Sequence, residues 1–379
     1  MRTFTKNLGK FAWVVIVGIV LLRFVLQLSS KSAGTAIELS SPEASHAVRI
    51  ATDPTGVPVA PFSLNEPPAP TSESTPEQRQ LLSVYESVLR NTRGGHKYNL
   101  ACSYSLVGDV GAAIYWLQRA AREDGVDPDW AMRDQDLAAV RADERGTTLF
   151  AYFSRMAEHH EKHPLDRQIL SLPKDYRLGR PIPMLIGMHG FGSVPEDFSD
   201  GFSKMADTLG IALLAVSATK TRGPQSFVWR EDVESDAKRI EAAIVAVSDR
   251  VTIAGGQIYL IGFSQGGQLA LEIASKYSER FAGAIAMSPG TLSPMERIGF
   301  GSTMLTGHRF VIVAGEKEHP STLAAARISK ERLSTFGAKV FYRIYPDVAT
   351  HRFPADYYDV LPKWLAFLVS GRSPNINER

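Results

Sequence analysis

The chain has 379 residues, more than one ordinary domain needs, and its 44% hydrophobic and 22% charged residues describe a globular protein with a real core. Its 42 basic and 40 acidic residues leave a net charge of +2, which excludes the basic footprint of a nucleic-acid-binding protein. Cys102 is the sole cysteine, so an intrachain disulfide and a cysteine-rich metal site are both excluded.

Arg2, Lys6 and Lys10 precede an apolar run from Phe11 to Leu28 that only Arg23 and Gln27 interrupt. The whole run is long enough to span a bilayer, whereas its unbroken part, Phe11 to Leu22, has the length of a signal-peptide core. No small-x-small cleavage site follows directly, and Arg23 can snorkel to the interface, so residues 1–30 are expected to be a retained signal anchor. A cleaved signal peptide is the alternative and a buried soluble helix the third reading. Either targeting segment keeps its basic flank inside, which puts the rest of the chain outside the cytoplasm, anchored to the membrane or secreted.

Residues 31–75 are rich in Ser, Pro, Ala and Thr, as in Pro67-Pro68-Ala69-Pro70-Thr71-Ser72, and read as a disordered or extended linker. Helical signals then fill residues 76–163. Thr75 is a candidate N-cap with Pro76 at the first helical position, and Leu81, Leu82, Tyr85, Val88 and Leu89 recur at helical spacing. Further on, Ala101, Tyr104, Gly108, Ala113, Leu117 and Ala120 take the small, large and turn positions of a helix–turn–helix pair, which resembles a tetratricopeptide repeat. That resemblance implies a protein partner for this block, while an ordinary helical hairpin without a ligand is the plainer alternative.

From about residue 164 the pattern changes. Short apolar runs at 168–172, 184–188, 211–217, 257–263, 282–287, 309–314 and 340–345 alternate with helical segments at 197–209, 232–247, 267–277, 322–336 and 356–368. Continuous apolar strands alternating with helices predict an α/β fold, a doubly wound and mostly parallel sheet, over residues 164–379. In such sheets chemistry gathers in the loops that leave the carboxyl ends of the strands.

Gly262-Phe263-Ser264-Gln265-Gly266 is a G-x-S-x-G pentad between a strand-like and a helix-like run. In that context the glycines permit a strained turn that lifts the serine above the sheet, so Ser264 is the candidate nucleophile. Serine needs a base, and His351 stands in the loop after the last strand, before the final helix. His319 competes for that role but precedes the last strand. The acid should follow strand 309–314, where Gly315-Glu316-Lys317-Glu318 leaves it; Glu318 is the first choice, with Glu316 and Asp347 as alternatives. The turn Met188-His189-Gly190-Phe191-Gly192 and the residue after the nucleophile would offer backbone N–H groups to an oxyanion, those of Phe191 and Gln265. His189 is expected to brace that turn rather than bind a metal. His159 and His163 are four apart, but Glu161 is not placed as in H-E-x-x-H, so no metal site is expected, and the chemistry calls for no cofactor.

With these residues in view, the segment from Arg167 to about Leu368 resembles the α/β-hydrolase superfamily. Within it, Gly262–Gly267, Leu172-Pro173-Lys174-Asp175-Tyr176 and Met188–Gly192 are similar to the phospholipase/carboxylesterase and polyhydroxybutyrate-depolymerase or feruloyl-esterase groups. The resemblance implies hydrolysis of a small-molecule or polymeric carboxylic ester through an acyl-enzyme. It also likens Trp229 to a tryptophan bordering the acyl site of carboxylesterases, a substrate-binding role that stands beside a plain core role. The chain departs from the pattern in two respects, since the acid is usually Asp and the simple esterases lack a helical N-terminal block. A serine peptidase on the same fold and a non-catalytic scaffold acting through the helical repeats are the rival functions.

Overall fold

The computed structural model describes residues 50–71, 73–90, 96–230, 232–290, 304–346, 351, 354 and 356–374, without the side chains of 200–204. The expected membrane anchor at 1–30 lies outside the described residues; among those described, no helix is long and apolar enough to cross a membrane. The chain divides into two compact units. One runs to Leu165 and includes Thr221–Ser226, and the other comprises Asp166–Lys220 and Phe227 onward.

The first unit is helical: α1 (Pro76–Arg90), α2 (His96–Leu106), α3 (Val110–Arg119) with a π-helical turn over Ala120–Asp124, α4 (Pro128–Arg133), α5 (Ala138–Ala142) and α6 (Gly146–Lys162). Thr75 and Gln78 cap α1 reciprocally. The Gln78 N–H donates to Thr75 Oγ1 at 3.2 Å and the Thr75 N–H to Gln78 Oε1 at 3.1 Å. Between α2 and α3 the chain turns at Gly108, φ 85°, and Asp109 then caps α3 by accepting the Ala112 N–H at 2.9 Å. Ala101, Ala113 and Ala120 are fully buried with Leu100, Ile114 and Leu117, small residues letting the helices approach.

The linker reading needs correction over its described part. Residues 50–71 are not detached: 51–59 fold back in a turn, where the Val59 N–H donates to Ala51 O at 2.8 Å, the residues after it lie outside helix and strand, and Ile50, Val57, Ala60, Phe62 and Leu64 pack on the helical core. Gln118, 5% exposed, takes both backbone groups of one strap residue: it accepts the Phe62 N–H at 2.9 Å and donates to Phe62 O at 3.3 Å. The Tyr115 hydroxyl donates to Glu66 Oε2 at 3.2 Å. Proline bars the segment from helix and ladder, as its composition says, but an extended chain with alternating apolar groups still fits a helical surface whose polar side chains meet its backbone.

In the second unit the strands are β1 (Gln168–Ser171), β2 (Ile182–Met188), β3 (Ala212–Val216), β6 (Ile253–Phe263), β7 (Gly283–Met287), β8 (Arg309–Gly315) and β9 (Lys339–Tyr345); in chain order between β3 and β6 comes a short ribbon of β4 (Lys220–Gly223) and β5 (Ser226–Val228), whose residues Thr221–Ser226 belong to the first unit. They form a sheet of seven in the order β1-β3-β2-β6-β7-β8-β9, and β4 pairs with β5 alone. β1 is antiparallel to β3, and every other pairing in the large sheet is parallel. Helices α7 (Glu196–Leu209) and α11 (Tyr357–Ser370) cover one face, while α8 (Val233–Ala246), α9 (Gln265–Lys276) and α10 (Pro320–Thr335) cover the other. Alternation along β2 serves both layers: Met184, Ile186 and Met188 join the core beneath α8 and α9, and Leu185 joins that beneath α11.

Register does the positioning. Met188 pairs with Gly262, Phe263 with Met287, Met287 with Val313, and Gly315 with Tyr345, so β2, β6, β7, β8 and β9 end along one edge. Every loop with a candidate chemical group leaves from that edge.

Gln118→Ala removes both of the strap's backbone partners at Phe62, a loss of about 1–3 kcal/mol of local stability. Limited chymotrypsin digestion should then cut at Phe62 or Leu64 well before the helices are cleaved; equal protection in variant and wild type would contradict the packed strap.

Candidate active site

Ser264 sits between β6 and α9 at φ 55° and ψ −121°, a left-handed region that an L residue occupies only under constraint. The neighbouring glycines show why the pentad is needed. A Cβ on Gly262 would lie 2.1 Å from Gly266 O, and one on Gly266 would lie 2.3 Å from Met188 O, so the turn closes backbone to backbone. The Ser264 N–H donates to Met287 O at 2.9 Å and Ser264 O accepts from the Gly290 N–H at 3.2 Å, anchoring the strained residue to the next strand.

Glu318 follows β8 and is 7% exposed, whereas Glu316 faces solvent. Glu318 Oε2 stands 2.9 Å from His351 Nδ1. A carboxylate only accepts, so Nδ1 carries the donated proton and Nε2 is left as the basic nitrogen. His351 Nε2 is buried and has no hydrogen-bond partner among the described residues. Phe263, the residue before Ser264, stacks on the His351 ring at 4.6 Å between centroids, which brings the imidazole to the serine's turn. His319, the rival base, is spent as the N-cap of α10, its Nδ1 accepting the Ser321 N–H at 3.1 Å. Asp347, an alternative acid, lies outside the described residues.

The turn after β2 stands beside the serine. A Cβ built on Gly190 would meet Ser264 Cβ at 3.5 Å. Phe191 follows, 45% exposed, and Gln265 opens α9, where the first N–H groups have no acceptor within the helix. His189 is 1% exposed; its Nε2 accepts the Ala218 N–H at 3.1 Å, so its Nδ1–H donates to Gly190 O at 2.7 Å. Burial pushes this imidazole down to about 4, and the Arg167 and Arg239 charges push the same way. The ring is therefore a neutral brace. Trp229 is 1% exposed and its indole N–H donates to His189 O at 2.9 Å. In this conformation no substrate can touch it, which favours its core role over the acyl-site wall.

Two features escaped the sequence. Ser288, at the end of β7, is a second serine with positive φ, 46°, held by its N–H to Val313 O at 2.7 Å. The Gln265 carboxamide pairs with the Trp229 peptide, a contact across 36 positions that no local pattern announces. His159 and His163 stack at 4.5 Å between centroids, and among the described residues no group of three metal-ligating side chains occurs.

The depressed His189 value carries a pH dependence. Between pH 6.5 and 4 the unfolded imidazole takes up a proton that the folded ring refuses, so this stability is whole above pH 6.5 and falls toward 4, by on the order of 3 kcal/mol. His160, also pushed to about 4 by burial, adds a share in the helical unit. Urea titrations at pH 7 and 5 should show a smaller loss for His189→Asn than for wild type; identical losses would mean that His189 does not titrate in this window.

An alpha/beta hydrolase family model matches residues 185–375. The proposed esterase NocK of Nocardia uniformis subsp. tsuyamanensis is 28% identical over 121 residues, 31% of this chain and 35% of that protein, so the chain spans about a third of that relative's length. Among solved structures, the carboxylesterase of Bacillus cereus is similar at 16% identity over 56% of this chain and 99% of its own, with a TM-score of 0.43. The esterase PE8 is similar at 16% identity over 54% and 99%, with a TM-score of 0.46. With the family model spanning half of its length, from within β2 through β9 and over the serine turn and the Glu318–His351 pair, the chain belongs to the alpha/beta hydrolase family.

Proposed function

We propose that this hydrolase cleaves carboxylic esters through an acyl-enzyme, with Ser264, His351 and Glu318 as its catalytic residues. The observation that carries the reading is the His351–Glu318 bond of 2.9 Å, which leaves Nε2 as the base at the sheet edge where Ser264 is held in a strained turn. Ser264 Oγ attacks the ester carbonyl carbon while its proton passes to His351 Nε2, and the carbonyl π pair moves to oxygen. The Phe191 and Gln265 N–H groups stabilise that oxyanion. Collapse expels the alcohol, which takes the proton from His351. Water then repeats the sequence on the acyl-enzyme and frees the acid. Glu318 holds the ring in one tautomer and balances the imidazolium. No step requires a metal or cofactor.

Support for an ester rather than an amide comes from the Gln after the serine and from the likeness to NocK. The N-terminal apolar run supports placing the enzyme outside the cytoplasm on a membrane tether, and the small-residue packing of α2 and α3 supports a tetratricopeptide-like block that receives a protein partner.

The test is labelling of the full chain with a fluorophosphonate probe, together with hydrolysis of p-nitrophenyl esters of graded acyl length. Ser264→Ala abolishes labelling, Ser264→Ala and His351→Ala each lower kcat by about 10⁴- to 10⁶-fold, and Glu318→Gln lowers it by about 10³- to 10⁴-fold. Labelling with turnover of short peptides but no esters would favour a serine peptidase. A folded wild type that does not label would leave a scaffold acting through its helical unit.

A further inference from the structure

The two candidate oxyanion donors lie on separate segments, Phe191 on the turn after β2 and Gln265 at the head of α9. Their spacing is set through Trp229. The Gln265 carboxamide meets the Trp229 peptide with both ends: Oε1 accepts the Trp229 N–H at 3.2 Å and Nε2 donates to Trp229 O at 3.2 Å. The Trp229 indole N–H then reaches His189 O at 2.9 Å. Two positions upstream, Phe227 O accepts the Gly192 N–H at 3.0 Å and the Phe227 N–H donates to Ser193 O at 3.1 Å. The turn bearing Phe191 is thus gripped on both sides of that residue by one short segment, and the same segment is tied to the side chain of the other donor residue. Gln265, Trp229, His189 and Phe227 are 5%, 1%, 1% and 0% exposed, so water does not compete for these bonds.

We propose that Gln265, through its side chain, and Trp229 are positioning residues that fix the distance between the two oxyanion donors. This rests on the serine-hydrolase reading above. Oxyanion stabilisation depends on donors aimed where charge develops, and a misplacement of about 1 Å is enough to lose on the order of 100-fold in rate. The segment 227–229 therefore acts on the transition state without touching it.

The test separates binding of the ester from binding of the oxyanion. A trifluoromethyl ketone is attacked by Ser264 Oγ; the C–O bond forms, the carbonyl π pair becomes the oxyanion and the serine proton moves to His351, so its affinity reads the hole directly. Trp229→Phe deletes the single indole donor and keeps most of the ring volume. Gln265→Met deletes both carboxamide contacts and leaves the backbone N–H of position 265 in place. Both are measured in the full chain, per site titrated with fluorophosphonate. In each, kcat and ketone affinity fall together by about 10- to 100-fold while KM moves by less than about 3-fold. Trp364→Phe, a buried tryptophan substitution in α11, lowers stability and changes neither. If Trp229→Phe fails to fold, Gln265→Met decides. Wild-type ketone affinity in a folded variant, or a rise in KM with kcat intact, overturns the positioning role and leaves the serine-hydrolase reading standing. A wild type that neither labels nor binds the ketone takes both down.

Discussion

A serine held at φ 55° and ψ −121° stores on the order of 1–3 kcal/mol of backbone strain and persists only where its surroundings over-determine it. Here they do so through backbone contact. Gly262 closes on Gly266, Gly266 closes on the end of β2, and the serine's own N–H and C=O are taken by Met287 and Gly290. The parallel register that ends five strands on one edge has its use at this point. It brings the Gly190 turn, the strained serine and the Glu318 loop to the same place without a long connection.

Electrostatics in the site follow from burial of groups in fixed states. His351 is oriented by a carboxylate and presents a lone pair, while His189, buried with two complementary backbone partners, is kept neutral and serves as scaffold. Two histidines of one unit thus do opposite work because one faces a carboxylate and the other an N–H donor and a carbonyl. Trp229, fully covered, belongs with the scaffold.

Much of this was legible in the sequence, for reasons that can be named. Buried strands read as continuous apolar runs, and each of Ser264, Glu318 and His351 stands in a loop after such a run, in the order Ser, acid, His. Other parts were hidden by local rules that tertiary contacts override. β6 begins at Ile253 rather than at residue 257, because Gly255-Gly256 reads as a break but continues the strand. The β4–β5 ribbon begins with Lys220-Thr221-Arg222-Gly223, which has no apolar alternation to reveal it. The strap over residues 50–71 was obscured by its prolines, since composition reports that a segment cannot ladder but not that a buried glutamine will pair with its backbone.

The ends of the sheet bear on how the protein behaves at high concentration. Strands at the margins of an open sheet present unsatisfied amides that can template association between molecules. At one margin β1 is only four residues long, and at the other β9 carries Lys339 and Arg343 among its seven residues. A short margin and a cationic one both disfavour edge-to-edge pairing between molecules. Neutralising Lys339 and Arg343 together would therefore remove a guard against aggregation while leaving the serine's turn untouched.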